Sequence, residues 1–148
     1  MKARTVLAGL FLFAVATAEA KPSVTWSVTL RSEEAGASSK LDDLLASARA
    51  DRRPALIEFT AAWCAACRLF DRDTYTDPDV IRETRRFVTI RIDATNADAA
   101  DGELARRFGV RGLPTLVFVS SRGAVPASSS LLGLVDAKTL ARGLREIP

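Results

Sequence analysis

Residues 55–72 read Ala55-Leu56-Ile57-Glu58-Phe59-Thr60-Ala61-Ala62-Trp63-Cys64-Ala65-Ala66-Cys67-Arg68-Leu69-Phe70-Asp71-Arg72, and this stretch decides the fold. Ala55 to Thr60 is a short apolar run suited to a buried central strand, with one carboxylate, Glu58, inside it. Small residues then lead to Trp63 and the pair Cys64 and Cys67. No proline or glycine interrupts 64–72, so the spacing predicts a helix that begins at Cys64. A buried strand, a tight small-residue turn and a helix opening on a cysteine form the centre from which the rest is read.

Upstream, Trp26, Val28 and Leu30 alternate with polar residues and predict a strand over Thr25–Leu30. Leu41, Leu44, Leu45 and Ala48 share one helical face, with Ser38 or Ser39 as the cap and Arg52-Arg53-Pro54 as the stop. Downstream, Asp77-Pro78 starts a helix that turns Val80 and Ile81 inward. Phe87 to Asp93 alternates as a strand. Asp98 or Asp101 caps a helix through Phe108, which Gly109 ends. Gly112-Leu113-Pro114 turns into a strand at Thr115–Val119, and Ser121-Arg122-Gly123 makes a hairpin turn to a return strand within 124–133. Ser128-Ser129-Ser130 reads as loop. Asp136 caps a last amphipathic helix carrying Leu140, Leu144 and Ile147. The order β-α-β-α-α-β-α-β-β-α describes an α/β domain, a central mixed β-sheet flanked by helices on both faces.

The chain of 148 residues has two cysteines and no histidine. Its 48% hydrophobic and 26% charged residues are the balance of one globular domain. Without histidine there is no Ser-His-Asp triad, no Cys-His pair and no imidazole ligand. Two cysteines cannot fill a four-cysteine zinc site, and Arg68 after the pair breaks the haem-attachment pattern. No metal and no cofactor other than the cysteine couple itself is expected.

Lys2 and Arg4 precede a run of apolar and small residues from Val6 to Ala18, and Ala18-Glu19-Ala20 matches a cleavage site. The expectation is a signal peptide over 1–20 cleaved after Ala20, a lead-in over 21–37 and the folded domain over 38–148. The run falls short of the ~20 residues a spanning helix needs, which disfavours the competing reading of an uncleaved anchor. Cleavage removes two of 21 basic and one of 18 acidic side chains, leaving a net charge of +2. The arginine pairs have acids nearby and no basic run alternates with aromatics, so no nucleic-acid partner is expected despite a pI near 9.2. The expected product is a periplasmic monomer that is not embedded in the membrane.

At the start of a helix, Cys64 meets free N–H groups and the positive dipole end, which favour a thiolate. Cys67 lies one turn on and can bond it. Such a pair exchanges disulfides: Cys64 attacks, and Cys67 resolves the mixed disulfide. A structural disulfide and a thiolate metal site, copper included, are the competing readings. Trp63 can shield one side of the sulfurs, or serve simply as core. Glu58, if buried, should have a raised pKa and can exchange a proton with Cys67; the alternative is a hydrated strand end. Asp71, four residues after Cys67, can tune the cysteines or be plain helix surface. Pro114 suits a cis bond that leaves the Leu113 backbone open to a substrate strand; the alternative is an ordinary trans proline.

Ile57-Glu58-Phe59, Trp63-Cys64-Ala65-Ala66-Cys67 and Gly112-Leu113-Pro114-Thr115, in this order, resemble the thioredoxin superfamily. Within it, the chain is most similar to the C-terminal periplasmic domains of the thiol:disulfide interchange protein DsbD. It shares with them the basic residue after the motif, an acid at Asp71, Asp77-Pro78, and Gly133 before Asp136. The resemblance implies a thioredoxin fold from about Leu41 to Ile147, a cis Pro114, and Cys64 as the exposed nucleophile. It also implies an oxidoreductase that works as a reductase or electron relay. Glu58 stands where thioredoxins usually carry aspartate, and Asp71 where the interchange domains usually carry glutamate. In that family the electrons come from a transmembrane domain, and none is expected within these 148 residues. Either a separate membrane thiol donor of the DsbD or CcdA kind is implied, with exported disulfide-containing proteins as acceptors, or the role has diverged. Ala65-Ala66 lacks the histidine of strong oxidants, which leans towards reduction. An oxidase or isomerase, and a non-catalytic binding or chaperone module using Trp63, Leu113 and Pro114, are the alternative functions.

Overall fold

The computed structural model describes residues 20–97, 102–125 and 130–148. Five strands form one sheet in the order β1-β3-β2-β4-β5: β1 Val28–Arg31, β2 Ala55–Thr60, β3 Val88–Asp93, β4 Thr115–Val119 and β5 Ser130–Leu132. β1, β3 and β2 run parallel, while β4 and β5 add antiparallel strands beyond β2. The helices are α1 Ala37–Ala50, α2 Ala65–Leu69, α3 Pro78–Thr84, α4 Glu103–Phe108 and α5 Ala137–Glu146. This is the mixed sheet and helix order expected from the sequence.

Side-chain alternation along the strands divides the core in two. Ala55, Ile57 and Phe59 of β2 face Leu41 of α1 and Leu104 of α4, together with Ile90, Ile92, Val117 and Val119. Leu56, Leu116 and Phe118 face the other way, onto Phe70, Tyr75, Val80 of α3, and Leu140 and Leu144 of α5. Glu58 alternates onto this second face. It is directly opposite Arg91 of β3 on one side and Leu116 of β4 on the other.

Several ends form as their chemistry predicts. Asp77 accepts hydrogen bonds from the N–H groups of Asp79 and Val80, with Pro78 in the first turn. Asp136 accepts from the N–H of Thr139 at 2.8 Å. Gly109 closes α4 at φ 64°, and Gly123 at φ 81° completes the turn after β4.

Several local expectations need correction. β1 starts at Val28, because Thr25 and Ser27 are held partly by the Thr89 hydroxyl rather than by a continuous ladder. α1 has no side-chain cap: Gly36 at φ 81° precedes it, and Ser38 instead donates to Glu103 of α4 at 2.6 Å. Leu44 and Leu45 pack, partly buried, against the same core as Leu41, as expected, whereas Ile147 lies just past α5. The helix from Cys64 does not stay α-helical. Phe70–Thr74 is a π-helical turn, closed by the Tyr75 N–H donating to the Phe70 carbonyl five residues back at 3.0 Å. Gly102 stands at the start of α4, and Asp98 and Asp101 lie outside the described residues. Ser128 and Ser129 lie outside them too, while Ser130 begins β5. Among the described residues, no helix is long and apolar enough to cross a membrane.

Candidate active site

The turn from β2 into α2 places the cysteines. Cys64 caps α2 in an extended conformation; its N–H donates to the Ala61 carbonyl at 3.0 Å. The Cys67 N–H donates to Cys64 Sγ at 3.1 Å, so the sulfur takes the place of a capping oxygen. The two cysteines form a disulfide with Cα atoms 5.3 Å apart. They sit in a small apolar cluster with Ala61, Ala66 and Leu113. Cys64 is 6% exposed and Cys67 1%. The resemblance implied an exposed nucleophile. In the disulfide form Cys64 is instead nearly covered, because the side chains of that cluster close over it, but it remains the more accessible sulfur residue.

Two loops frame the disulfide. The Leu113–Pro114 bond is cis, and Pro114 is buried at the head of β4. On the other side, Thr95 follows β3 and ties down the turn: its hydroxyl accepts from the Ala62 N–H at 2.8 Å, and its carbonyl accepts from Trp63 Nε1 at 3.1 Å. Trp63 is thus held by its ring nitrogen while 59% exposed. It is a fixed aromatic surface next to Cys64, not a core residue.

Glu58 is fully buried, which removes the hydrated alternative. It is also paired. The Tyr75 hydroxyl donates to Oε1 at 3.0 Å, and Arg91 Nε donates to Oε2 at 2.6 Å. Arg91 Nη2 in turn donates to Asp71 Oδ1 at 2.5 Å. One guanidinium therefore bridges a buried carboxylate and a half-exposed one. Burial pushes the Glu58 carboxyl up to about 7, against the opposing pull of Arg91 and the Tyr75 hydrogen bond, with Asp71 adding repulsion. The Tyr75 phenol is raised by its own burial and by Glu58. Asp71 is accordingly not plain helix surface; the π turn that carries it sets it beside Arg91.

A cleft of about 370 Å³ runs along this side of the disulfide, lined by Cys67, Arg68, Asp71, Arg91 and Asp93 among others. Cys67 and the Arg91–Asp71 pair thus share one opening, and Glu58 connects to it through Arg91. Glu58 and Asp71 are both legible in the sequence, but the cation between them is not. In sequence Arg91 is a polar position of an alternating strand, and only the parallel register sets it opposite Glu58. Nothing local marks Tyr75 as a site residue, and Trp26 carries only the signal of an alternating strand. Among the described residues, no group of three or more histidine, cysteine, aspartate or glutamate side chains could hold a metal ion.

The thioredoxin-like family matches residues 37–121, more than half of the chain. The thiol:disulfide interchange protein DsbD of Vibrio vulnificus strain YJ016 is 30% identical over 137 residues, covering 93% of this chain and 22% of the relative. That of Salmonella typhimurium is 31% identical over 144 residues, covering 93% and 25%. The chain therefore spans about a quarter of the length of these relatives. The reduced C-terminal domain of Neisseria meningitidis DsbD superposes with a TM-score of 0.63 at 23% identity, over 80% of this chain and all of that one. A thioredoxin from Thermus thermophilus superposes at 0.58 with 31% identity, over 71% of this chain and 81% of that one. Sheet order, the cysteine pair opening α2 and the cis Leu113–Pro114 bond, whose Leu113 packs against the cysteines, are thus accompanied by sequence likeness across the same residues, and the chain belongs to the thioredoxin-like family.

Proposed function

We propose that this domain is an exported thiol:disulfide oxidoreductase that passes electrons to disulfide-containing proteins. The observation that carries the reading is the Cys64–Cys67 disulfide at the start of α2, with the Cys67 N–H aimed at Cys64 Sγ. In the reduced protein that N–H and the helix start stabilise a Cys64 thiolate. The thiolate attacks one sulfur of a substrate disulfide, forming a mixed disulfide and releasing the first substrate thiolate. Cys67 then gives up its proton and attacks Cys64 Sγ. The second substrate thiolate leaves, and the domain is left with the Cys64–Cys67 disulfide. Two electrons have moved from the domain to the substrate, and a donor dithiol restores them by the same exchange in reverse.

Glu58 takes the Cys67 proton. A carboxyl titrating at about 7 is near the working pH, where proton exchange is most effective. Asp71 and Arg91, at the mouth of the same cleft, set its charge balance. Trp63, Leu113 and Pro114 receive the substrate: the first as an exposed ring beside Cys64, the others as the loop facing the sulfurs. The donor is a membrane thiol protein of the DsbD or CcdA kind, and the acceptors are exported proteins. The domain works in the periplasm as a monomer after cleavage behind Ala20. The relatives named for thiol:disulfide interchange support this reading, as does the absence of a histidine between the cysteines.

Equilibration with glutathione redox buffers tests the direction. The expected potential is nearer ~ −270 mV than ~ −120 mV. A value at the oxidising end would reverse the proposed electron flow.

A further inference from the structure

We propose that Trp26, ahead of β1, is a positioning residue of the redox site, whose indole covers both groups that hold Glu58 and keeps water from the carboxylate. The inference rests on the reading of Glu58 as the proton acceptor for Cys67. Arg91 Cζ lies 4.3 Å from the centroid of the Trp26 ring. The Tyr75 ring meets the same indole edge-on at 5.3 Å. These are the two residues that donate to Oε2 and Oε1 of Glu58. One part-buried ring thus backs both hydrogen bonds to the buried carboxylate.

The segment that carries Trp26 is fastened on both sides. The Val24 N–H donates to the Tyr75 carbonyl at 2.9 Å, and Val24 itself is buried in the same cluster as Phe70 and Tyr75. The Thr89 hydroxyl donates to the Thr25 carbonyl at 2.7 Å, and the Ser27 N–H donates to the Thr89 carbonyl at 2.9 Å. Strand β3 therefore presents Thr89 to hold the segment and Arg91 to receive its ring. Residues well before the cysteines in sequence belong to the surroundings of the acid.

The groups that face Glu58 are few. β3 contributes Arg91, and the π turn contributes Asp71 through Arg91. Tyr75 follows that turn. β4 places apolar Leu116 opposite, and the N-terminal segment brings only the Trp26 indole, which does not titrate. Removing the ring hydrates Glu58, which lowers its pKa. It also hydrates Arg91, which weakens the opposing attraction. Burial is the larger of the two influences, so the net movement is downward.

The test follows the Glu58 carboxyl carbon by NMR across a pH titration of the oxidised protein, with the resonance assigned by its loss in Glu58→Gln. In Trp26→Ala the midpoint should fall by about one pH unit. Trp26→Phe, which restores an aromatic cover, should stay near the parent. Trp26→Leu keeps apolar volume without the flat ring and serves if the alanine variant does not fold; its midpoint should fall by about half as much. An unmoved or raised midpoint in a folded alanine or leucine variant overturns the proposal, as does an equal fall in the phenylalanine variant. The pH–rate profile of disulfide reduction separates the two readings. If Glu58→Gln leaves that profile unchanged, the proton-acceptor reading fails whatever the NMR shows. If Glu58→Gln alters the profile while Trp26→Ala leaves the midpoint in place, only the role of Trp26 falls.

Discussion

The oxidised protein should lose stability through Glu58 as the pH rises from about 4 to about 8. The unfolded chain releases the Glu58 proton near the ordinary value of 4.5, whereas the folded protein holds it to about 7. Below 4.5 both states are protonated and the group is neutral in its effect. Between 4.5 and about 7 the folded state binds more proton than the unfolded one, so stability falls with pH; above about 7 the loss is complete. At about 1.4 kcal/mol per pH unit, the interval is worth about 3 kcal/mol. Glu58→Gln removes the titration while keeping the size of the side chain. The assay is urea unfolding of both oxidised proteins across this range. Other carboxylates, such as Asp73 and Asp136, are lowered by their partners and act in the opposite sense, but they are common to both proteins and cancel. The stability of the variant minus that of the parent should rise by about 3 kcal/mol from the acid to the alkaline end. A difference that stays flat within about 0.5 kcal/mol would refute the argument that burial governs this carboxyl.

Other substitutions give separate checks. Arg91→Met leaves Glu58 without its cation, so it should destabilise by about 3 kcal/mol at about pH 8 but far less at about pH 5, where Glu58 is protonated; urea midpoints at the two pH values read this out. Asp71→Asn removes a repulsion acting on Glu58, so the midpoint of the Glu58 carboxyl titration should fall, by less than about one pH unit. Trp63→Ala should change the unfolding free energy by no more than about 0.5 kcal/mol while slowing exchange with folded protein disulfides, because its ring is exposed beside Cys64. Arg52 holds φ 54° just after α1, so Arg52→Gly should raise the thermal midpoint, by an amount worth about 1 kcal/mol.

Where the sequence carried a local physical signal, the structure agrees with it. Asp77-Pro78 and Asp136 cap their helices, Gly109 and Gly123 sit where positive φ is needed, and the β-branched run at 115–119 forms β4 with the expected bounds. The cysteine pair and Pro114 were legible because their chemistry is written in their order and spacing. What was hidden depended on register and packing. Nothing local marks Arg91 as the partner of Glu58, since the two are 33 residues apart and meet only once β2 and β3 pair in parallel. The π turn at 70–74 has no proline or glycine to announce it; it emerges where Phe70 and Tyr75 pack edge-on at 4.8 Å beneath the sheet. Trp26 reads as one apolar position of an alternating strand, and only the fold brings it over Arg91 and Tyr75. Ser38 and Ser39 carried a capping signal that Gly36 pre-empted by turning the chain two residues before Ser38.

The central claim is that Cys64 attacks and Cys67 resolves. It is tested most directly by producing Cys67→Ser in the native cell and resolving proteins by electrophoresis without reductant. The account predicts covalent adducts of this chain with exported proteins and with a membrane donor, released by reductant and absent when Cys64 is also replaced. Cys64→Ser alone should trap few, because Cys67 is the more deeply buried of the two. A Cys67→Ser protein that forms no adduct, or a Cys64→Ser protein that forms as many, would contradict it.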